Sequence, residues 1–343
     1  MSIATKDFGV TKKGDKVTLY TITNKKGMSV SAIDYGANIV NLFVPDKNGK
    51  LDDVVLGFND VAGYEQNGCF FGAFIGRHGN RIGQAKFSLN GTTYELEKND
   101  GENNLHGGTP GYHHVMYQAD TTENSVTFHR ISPDMEQGYP GNLDVAVTYE
   151  LTDENELKIL YRTKSDQDTL CNLTNHSYFN LKGHDGGTIT DHVVTIKANS
   201  FTGTSNDLIP DGTLVDVTDT PMDFRKPRVI ADDVDSDYAP IVLAGGYDHN
   251  FVLDKPARAF EKVAEVMEPA SGRKMEVYTD LPGMQLYSGN FIQKEEGKAV
   301  YTKRTGLCLE TQFFPNSINV PSFDSCLLKA GEEFHSTTVY KFL

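Results

Sequence analysis

Short runs of alternating or β-branched residues, separated by turn-forming residues, recur along almost the whole chain. In the segment 87–96, Asn90-Gly91 lies between two such runs and predicts a two-residue hairpin turn, because both residues accept a positive φ. A second hairpin is predicted over 143–161. Further strands are predicted at 17–22, 28–33, 39–44, 193–196, 275–278, 284–287, 307–309 and 337–342. The pattern predicts antiparallel β-structure from end to end.

The segment 260–267 also fits a helix, because its apolar residues recur at spacings of three and four. Turn-forming residues at 268–272 and an alternating run after them favour a hairpin, so we predict a strand there. The chain has 343 residues, without a linker or a repeat. That length allows one large β domain or two fused ones.

The composition excludes several classes of partner. The formal charge is -15, from 47 acidic and 32 basic residues, and the basic residues form no run. Such a chain is not expected to bind a nucleic-acid backbone or an anionic membrane. The four cysteines are scattered, and no apolar stretch approaches the ~20 residues that span a bilayer. We therefore expect reduced thiols and a cytoplasmic protein.

The segment 171–181 contains the densest set of polar and aromatic side chains. If it is extended, its side chains alternate between two faces. One face then carries His176, Tyr178 and Asn180, and the opposite face carries Asn175, Ser177 and Phe179. Donors, acceptors and rings without a phosphate-binding cation suit a neutral polyhydroxy ligand such as a sugar. The alternative is a core strand whose histidine is structural.

Two glycine-rich loops add further candidates. The loop 76–83 carries Arg77, Asn80 and Arg81, and the loop 103–108 carries His106 before two glycines. Arg81 could bind hydroxyl oxygens or orient a carboxylate. Neither a following helix signal nor a Gly-Lys-Ser/Thr sequence is present, so a nucleotide-phosphate site is not expected.

Candidate carboxylates occur in two later segments. In the run 307–312 both leucines face one way and Glu310 the other, which is where a catalytic carboxylate has to lie. Gln285 likewise points away from the apolar residues of its run, and Asp248 adjoins His249. The histidines lack metal-ligand spacing, and the chain has no cofactor loop, so we expect neither a metal nor a cofactor.

Several segments, taken in order, resemble the serial motifs of the aldose 1-epimerases, also called galactose mutarotases. They are 76–82, 103–108, 174–181, 247–251, 309–319 and 329–334, within a match that spans roughly residues 30 to 343. The resemblance implies a single β-sandwich domain over residues 1–343, the galactose mutarotase-like supersandwich. It also implies interconversion of the α and β anomers of free hexoses such as D-galactose and D-glucose, without a cofactor. We expect a monomer or weak homodimer.

The same resemblance assigns roles to individual residues. The general acid falls on His176 and the general base on Glu310. The sugar-binding residues fall on Asn80, Arg81, His106, Ser177, Tyr178, Asp248 and Gln285. The chain departs from the family at His78-Gly79 and by having no tryptophan, with Tyr117 near a usual tryptophan position. We expect these departures at the rim of the site, where they would affect sugar preference.

Anomer exchange requires a base that takes the proton of the anomeric hydroxyl and an acid that protonates the ring oxygen. We expect two opposed proton carriers, Glu310 as carboxylate and His176 as imidazolium, with the carboxylate setting the acid limb of a bell-shaped pH profile. Three alternatives remain. They are a hexose-phosphate epimerase, a glycoside hydrolase that uses Glu310 and Asp248, and a non-catalytic carbohydrate-binding β-sandwich.

Overall fold

A computed structural model describes residues 2–343, and most of their regular structure is β-strand. The strands are, in chain order, β1 (Ser2–Val10), β2 (Lys16–Thr23), β3 (Ser29–Ile33), β4 (Ile39–Pro45), β5 (Leu51–Asp53), β6 (Ala73–Ile75), β7 (Arg81–Ile82), β8 (Lys86–Leu89), β9 (Thr92–Glu95), β10 (Asn104–Leu105), β11 (Gln118–Thr121), β12 (Ser125–Ser132), β13 (Leu143–Leu151), β14 (Glu156–Ser165), β15 (Thr169–Leu170), β16 (Thr174–His176), β17 (Val193–Ile196), β18 (Ala198–Thr204), β19 (Pro210–Asp216), β20 (Arg228–Val229), β21 (Asp248–Leu253), β22 (Glu261–Met267), β23 (Lys274–Thr279), β24 (Gly283–Tyr287), β25 (Glu295–Glu296), β26 (Val300–Tyr301), β27 (Cys308–Gln312), β28 (Leu327–Leu328) and β29 (Glu333–Phe342).

The helices are short. The α-helices of the described residues are α1 (Val61–Tyr64), α2 (Ile230–Asp233) and α3 (Ala239–Ala244). Four 3₁₀ turns lie at Gly83–Ala85, Tyr112–His114, Glu136–Gly138 and Ser317–Asn319. Within residues 2–343, no helix has the length and apolar character needed to span a membrane.

Three large sheets form the framework. The first has the order β1-β2-β3-β4-β5, the second β11-β12-β13-β14-β29-β23-β22-β17-β20, and the third β19-β18-β21-β24-β27. Their neighbouring strands pair antiparallel, which confirms the expected antiparallel all-β fold. The short pairs β6-β16 and β7-β10 lie outside these sheets and carry site residues.

Both predicted hairpins are confirmed, since β8 pairs antiparallel with β9 and β13 with β14. Leu89 pairs with Thr92 across Asn90-Gly91, and both turn residues have positive φ, at 51° and 80°. The segment 261–267 is a strand that pairs with β23, so cross-strand packing prevails over the helical spacing of its apolar residues.

The second and third sheets pack against each other across a shared core. Leu309 of β27 and Val147 of β13 belong to the same buried apolar cluster. Tyr340 of β29 donates a hydrogen bond to the carbonyl of Leu309, and the hydroxyls of Thr311 and Thr338 are also hydrogen-bonded. One face of the third sheet therefore packs against the core, and its other face can carry polar side chains.

That other face positions part of the site. Gln285 of β24 lies opposite Glu310 of β27 and Asn250 of β21, while Asp248 lies opposite Tyr287. Because side chains alternate along a strand, these residues project on the side away from the core.

Candidate active site

A cavity of about 460 Å³ opens over this polar face, within the size range of small-molecule sites. The polar part of the lining includes Asn80, Arg81, Asp100, His106, His176, Asp248 and Glu310. Aromatic and apolar side chains also line the cavity, namely Phe70, Leu105, Tyr178, Leu208, Leu243, Tyr287, Phe291 and Ile292. The combination of hydrogen-bonding groups and flat rings suits a sugar.

His176 and Glu310 lie side by side in the cavity. Nε2 of His176 is 3.7 Å from Oε1 of Glu310, and both side chains are almost completely buried. Burial lowers the pKa of His176 to about 4. Burial, followed by the nearby Asp248 carboxylate, raises the pKa of Glu310 well above its usual range. At a pH between these two pKa values the pair therefore holds one titratable proton, and that proton is on Glu310.

These observations correct two expectations from the sequence. The two groups are not opposed, because a gap of 3.7 Å cannot hold a sugar between them. The resting forms are also reversed, since burial disfavours both the carboxylate and the imidazolium. A single proton transfer within the pair converts the resting form into the expected carboxylate and imidazolium.

His106 presents a hydrogen-bond donor to the cavity. Its Nδ1 accepts the backbone N–H of Asn80 over 3.1 Å, and burial lowers its pKa well below the usual range. A neutral imidazole that accepts at Nδ1 carries its proton on Nε2. Phe70 packs on the rings of both His106 and His176, with centroid distances of 4.7 and 5.6 Å.

The arrangement of His106, His176 and Glu310 has the composition of a metal site, with one ligand atom from each within 4.8 Å of the others. A metal ligand must offer a lone pair, and His106 offers an N–H at Nε2 because Nδ1 already accepts from the backbone. This donor set therefore fits a substrate oxygen better than a cation.

A chain of amides supports Asp248. Gln312 donates to the side-chain oxygen of Gln285 over 3.4 Å, and Gln285 donates to Oδ1 of Asp248 over 2.7 Å. The other Asp248 oxygen is 3.9 Å from the Arg81 guanidinium, whose Nε donates to Asp100 over 2.7 Å. Arg81 is thus held between two carboxylates at the cavity wall.

Comparisons with known proteins identify the family. The sequence profile described as Aldose 1-epimerase matches residues 18–341. The chain belongs to the aldose 1-epimerase family. This epimerase is an isomerase, and it is 46% identical to the galactose mutarotase of Mus musculus over 318 residues, covering 92% of this chain and 91% of the relative. It is 35% identical to the aldose 1-epimerase of Escherichia coli K12 over 337 residues, 96% of each chain.

A solved structure confirms the fold of the epimerase. The galactose 1-epimerase of Lactobacillus acidophilus NCFM superposes with a TM-score of 0.88 at 26% identity, covering 100% of this chain and 98% of that one. The galactose mutarotase-like β-sandwich expected from the sequence is therefore correct.

Most of the epimerase residues assigned from the sequence line the cavity, namely Asn80, Arg81, His106, His176, Tyr178, Asp248 and Glu310. Gln285 lies behind Asp248 and orients it. Ser177 lies elsewhere, because its hydroxyl donates to Asn175 over 2.6 Å and the side chain is buried.

Other sequence expectations for this epimerase are wrong. Asn180 does not share the wall of His176, because its amide donates to the carbonyls of Gly187 and Thr305. Arg77 is completely buried and cannot reach a ligand. The departures at His78 and Tyr117 are not at the rim, since both side chains are buried outside the cavity lining.

The sequence also missed several residues of the site. Phe70, Asp100 and Tyr287 line the cavity, and Cys308 lies directly behind His176. Alternation along the run 307–312 could have found Cys308, because it is two residues from Glu310 and shares its face. Phe70 carried no such signal.

Proposed function

We propose that the chain is an aldose 1-epimerase for free hexoses such as D-galactose and D-glucose, in which His176 is the general acid and Glu310 the general base. The observation that supports this most is the separation of 3.7 Å between the two groups in a polar cavity. The ring oxygen and the anomeric hydroxyl are bonded to the same carbon. Neighbouring proton carriers can therefore serve both oxygens at once.

The reaction is a pair of proton transfers. Glu310 takes the proton of the anomeric hydroxyl as its C–O bond becomes a carbonyl, and the electrons of the ring C–O bond move to the ring oxygen, which takes the proton from Nε2 of His176. Rotation about the bond from C1 to C2 then presents the other carbonyl face. Ring closure reverses both transfers and gives the second anomer.

The one-proton state of the pair sets the pH dependence. At low pH, His176 gains a proton while Glu310 keeps its own, so the pair has no base. At high pH, Glu310 loses its proton while His176 is neutral, so the pair has no acid. We expect a bell-shaped profile whose acid limb belongs to His176 and whose alkaline limb belongs to Glu310, given the directions of their pKa shifts.

The remaining polar groups are proposed to hold the sugar. Arg81 and the Nε2–H of His106 donate to hydroxyl oxygens, while Asp248 accepts from a hydroxyl. Arg81 is already paired with Asp100 and Asp248, and the cavity lining carries more carboxylates than cations. This charge balance favours a neutral hexose over a hexose phosphate.

We further propose a cytoplasmic enzyme, as a monomer or weak homodimer, that uses neither a metal nor a cofactor. The free thiols at Cys69, Cys171, Cys308 and Cys326 fit a reducing compartment. A chelator should leave activity unchanged. Loss of activity with chelator and recovery with zinc would overturn the metal-free proposal.

Polarimetry of freshly dissolved α-D-galactose and α-D-glucose tests the proposed function. With the protein present, the rotation should reach the same final value as in its absence, but sooner. A glycoside hydrolase or a sugar-binding protein would leave the rate of approach unchanged. That result, with folded protein, would contradict the proposal.

A further inference from the structure

The thiol of Cys308 is the side-chain hydrogen-bond partner of His176 within residues 2–343. Its Sγ lies 3.5 Å from Nδ1, on the edge of the ring away from Nε2, which faces Glu310. Both side chains are buried, and Cys308 lies outside the cavity lining. Cys308 therefore contacts the acid without touching the site of the sugar.

The position follows from the strand that carries the base. Cys308 and Glu310 are two residues apart in β27 and project on the same face, beneath the ring of His176. One strand thus supplies a partner for each nitrogen of the imidazole. Phe70 and Tyr178 enclose the ring, with centroid distances of 5.6 and 5.0 Å.

Catalysis makes opposite demands on the two ring nitrogens. Nε2 has to gain a proton from Glu310 and give it to the ring oxygen of the sugar, so it must carry no proton in the neutral imidazole. The second proton then has to stay on Nδ1 throughout the cycle. A carboxylate or carbonyl at Nδ1 would hold that proton but would also stabilise the imidazolium and weaken the acid.

We propose that Cys308 is a positioning residue that accepts the Nδ1 proton of His176 and, as a weak acceptor, fixes the tautomer without stabilising the imidazolium. Burial keeps the thiol itself protonated, because it raises the pKa of Cys308 well above its usual range. The proposal rests on the proposed function, in which His176 is the general acid. It predicts a stronger acid than a histidine held by an oxygen.

Other titratable groups also face His176. They are Glu310 from β27, His106 from the loop after β10, Tyr178 from the segment after β16, Tyr287 from β24 and His113 behind Phe70, with Asp248 and Arg81 beyond Glu310. Substitution at Cys308 leaves all of these groups in place, so a change in the behaviour of His176 reports on the thiol.

The tautomer is tested by ¹⁵N NMR of the full-length protein labelled at histidine, with His176→Asn used to assign the signal. We expect the neutral ring to carry its proton on Nδ1 in the wild type and to move toward the Nε2–H form in Cys308→Ala. A wild-type ring with its proton on Nε2 would overturn the proposal.

The strength of the acid is tested by the pH profile of kcat/KM for anomer exchange. Cys308→Asn places an amide oxygen near Nδ1, so the acid limb should move up by about one pH unit and kcat should fall several-fold. Cys308→Ala should lower kcat without raising the acid limb. KM should change little in either variant, because residue 308 lies outside the cavity.

Cys171→Ser is the matched control, since Cys171 is also buried and outside the cavity lining, but its hydrogen-bond partner is Thr163 and not His176. It should leave the profile unchanged. If Cys308→Asn is folded and its acid limb does not move, the inference fails while the proposed function stands. If the wild type does not accelerate anomer exchange at all, the proposed function itself fails.

Discussion

At the residue scale, we propose that Arg81 connects sugar binding to the acid-base pair. Its guanidinium lies between Asp100 and Asp248, and its positive charge lowers the pKa of Glu310 against the larger effects of burial and Asp248. An arginine stays charged at every working pH, so it transfers no proton itself. Its influence on the reaction has to come through hydrogen bonds to the sugar and through its electrostatic effect on Glu310.

Arg81→Met should therefore change two quantities. KM should rise by about tenfold or more, which corresponds to ~1.4 kcal/mol of lost binding. The alkaline limb should move to higher pH, because the carboxylate form of Glu310 loses a nearby positive charge. Steady-state anomer exchange across pH measures both effects.

Arg162→Met is the control for Arg81, since Arg162 lies on β14, outside the cavity lining, with a similarly charged partner in Asp144. It should change neither quantity. An Arg81→Met enzyme with a normal KM would remove Arg81 from the sugar-binding set.

The sequence predicts the site unevenly at this scale. Polar residues that end a motif or alternate with leucines, such as Glu310 and His106, could be identified because their chemistry has no role in a core. Phe70 could not, because it reaches the histidines through a backbone φ of 62°, a conformation that a bulky residue rarely adopts. The resting protonation of His176 and Glu310 also depends on burial, which only the assembled sheets create.

At the scale of elements, Arg77 anchors the connection between β6 and β7 that carries Asn80 and Arg81. Its guanidinium donates to the hydroxyl and carbonyl of Ser132 and to the carbonyls of Pro133 and Pro140. These acceptors lie at the last residue of β12 and in the connection from β12 to β13. The loop that presents these proposed sugar-binding residues is thus tied to the second sheet by buried hydrogen bonds.

Arg77→Lys should lower the free energy of unfolding by about 3 kcal/mol, because a lysine cannot replace the planar set of donors and leaves buried oxygens without partners. Thermal or urea unfolding measures the change. Arg162→Lys, at a partly exposed position, should cost about 0.5 kcal/mol or less. An equal effect of the two substitutions would show that Arg77 does not anchor the loop.

Elements were predictable where local chemistry specifies them. The turn at Asn90-Gly91 and the strand at 261–267 follow from turn residues and alternation. The segment 171–181 was predicted as one extended face, but only Thr174–His176 forms a strand, and its partner is the short β6. Asn180 consequently points into the protein, a result that depends on pairing with a segment about 100 residues away.

At the scale of the whole molecule, we propose that residues 1–343 form one cooperative domain. The nine-stranded sheet joins distant parts of the chain, because the C-terminal strand β29 lies between β14 and β23. One buried apolar cluster includes residues of all three large sheets. The order of these strands could not be read from the sequence, since antiparallel pairing between distant segments leaves no local pattern.

Buried neutral histidines should make this domain sensitive to acid. Burial lowers the pKa of His78, His176, His192 and His249 to about 4, from an ordinary value of 6.5. Between these values the unfolded chain binds protons that the folded chain does not. The free energy of unfolding should therefore fall as pH decreases from 6.5 to 4, by about 1.4 kcal/mol per pH unit for each histidine. Glu310 opposes this trend, because its raised pKa lets the folded chain bind one proton earlier.

His78→Leu tests this account away from the active site. Neither ring nitrogen of His78 has a hydrogen-bond partner among residues 2–343, so leucine removes a titrating group without breaking a bond. The loss of stability per pH unit should be smaller than in the wild type, by the contribution of one histidine. Chemical unfolding at pH 7, 6 and 5 gives both slopes, and two identical slopes would contradict the prediction.

The central claim is that Glu310 takes the proton of the anomeric hydroxyl while its neighbour His176 protonates the ring oxygen. The most direct test is the pH profile of anomer exchange in Glu310→Gln, measured beside Asp248→Asn. Glu310→Gln should lower kcat by roughly 10² to 10⁴ and lose the alkaline limb, with sugar binding largely kept. Asp248→Asn should mainly raise KM and retain both limbs. Near-normal turnover in Glu310→Gln, together with loss of turnover in Asp248→Asn, would contradict the account and transfer the role of the base to Asp248.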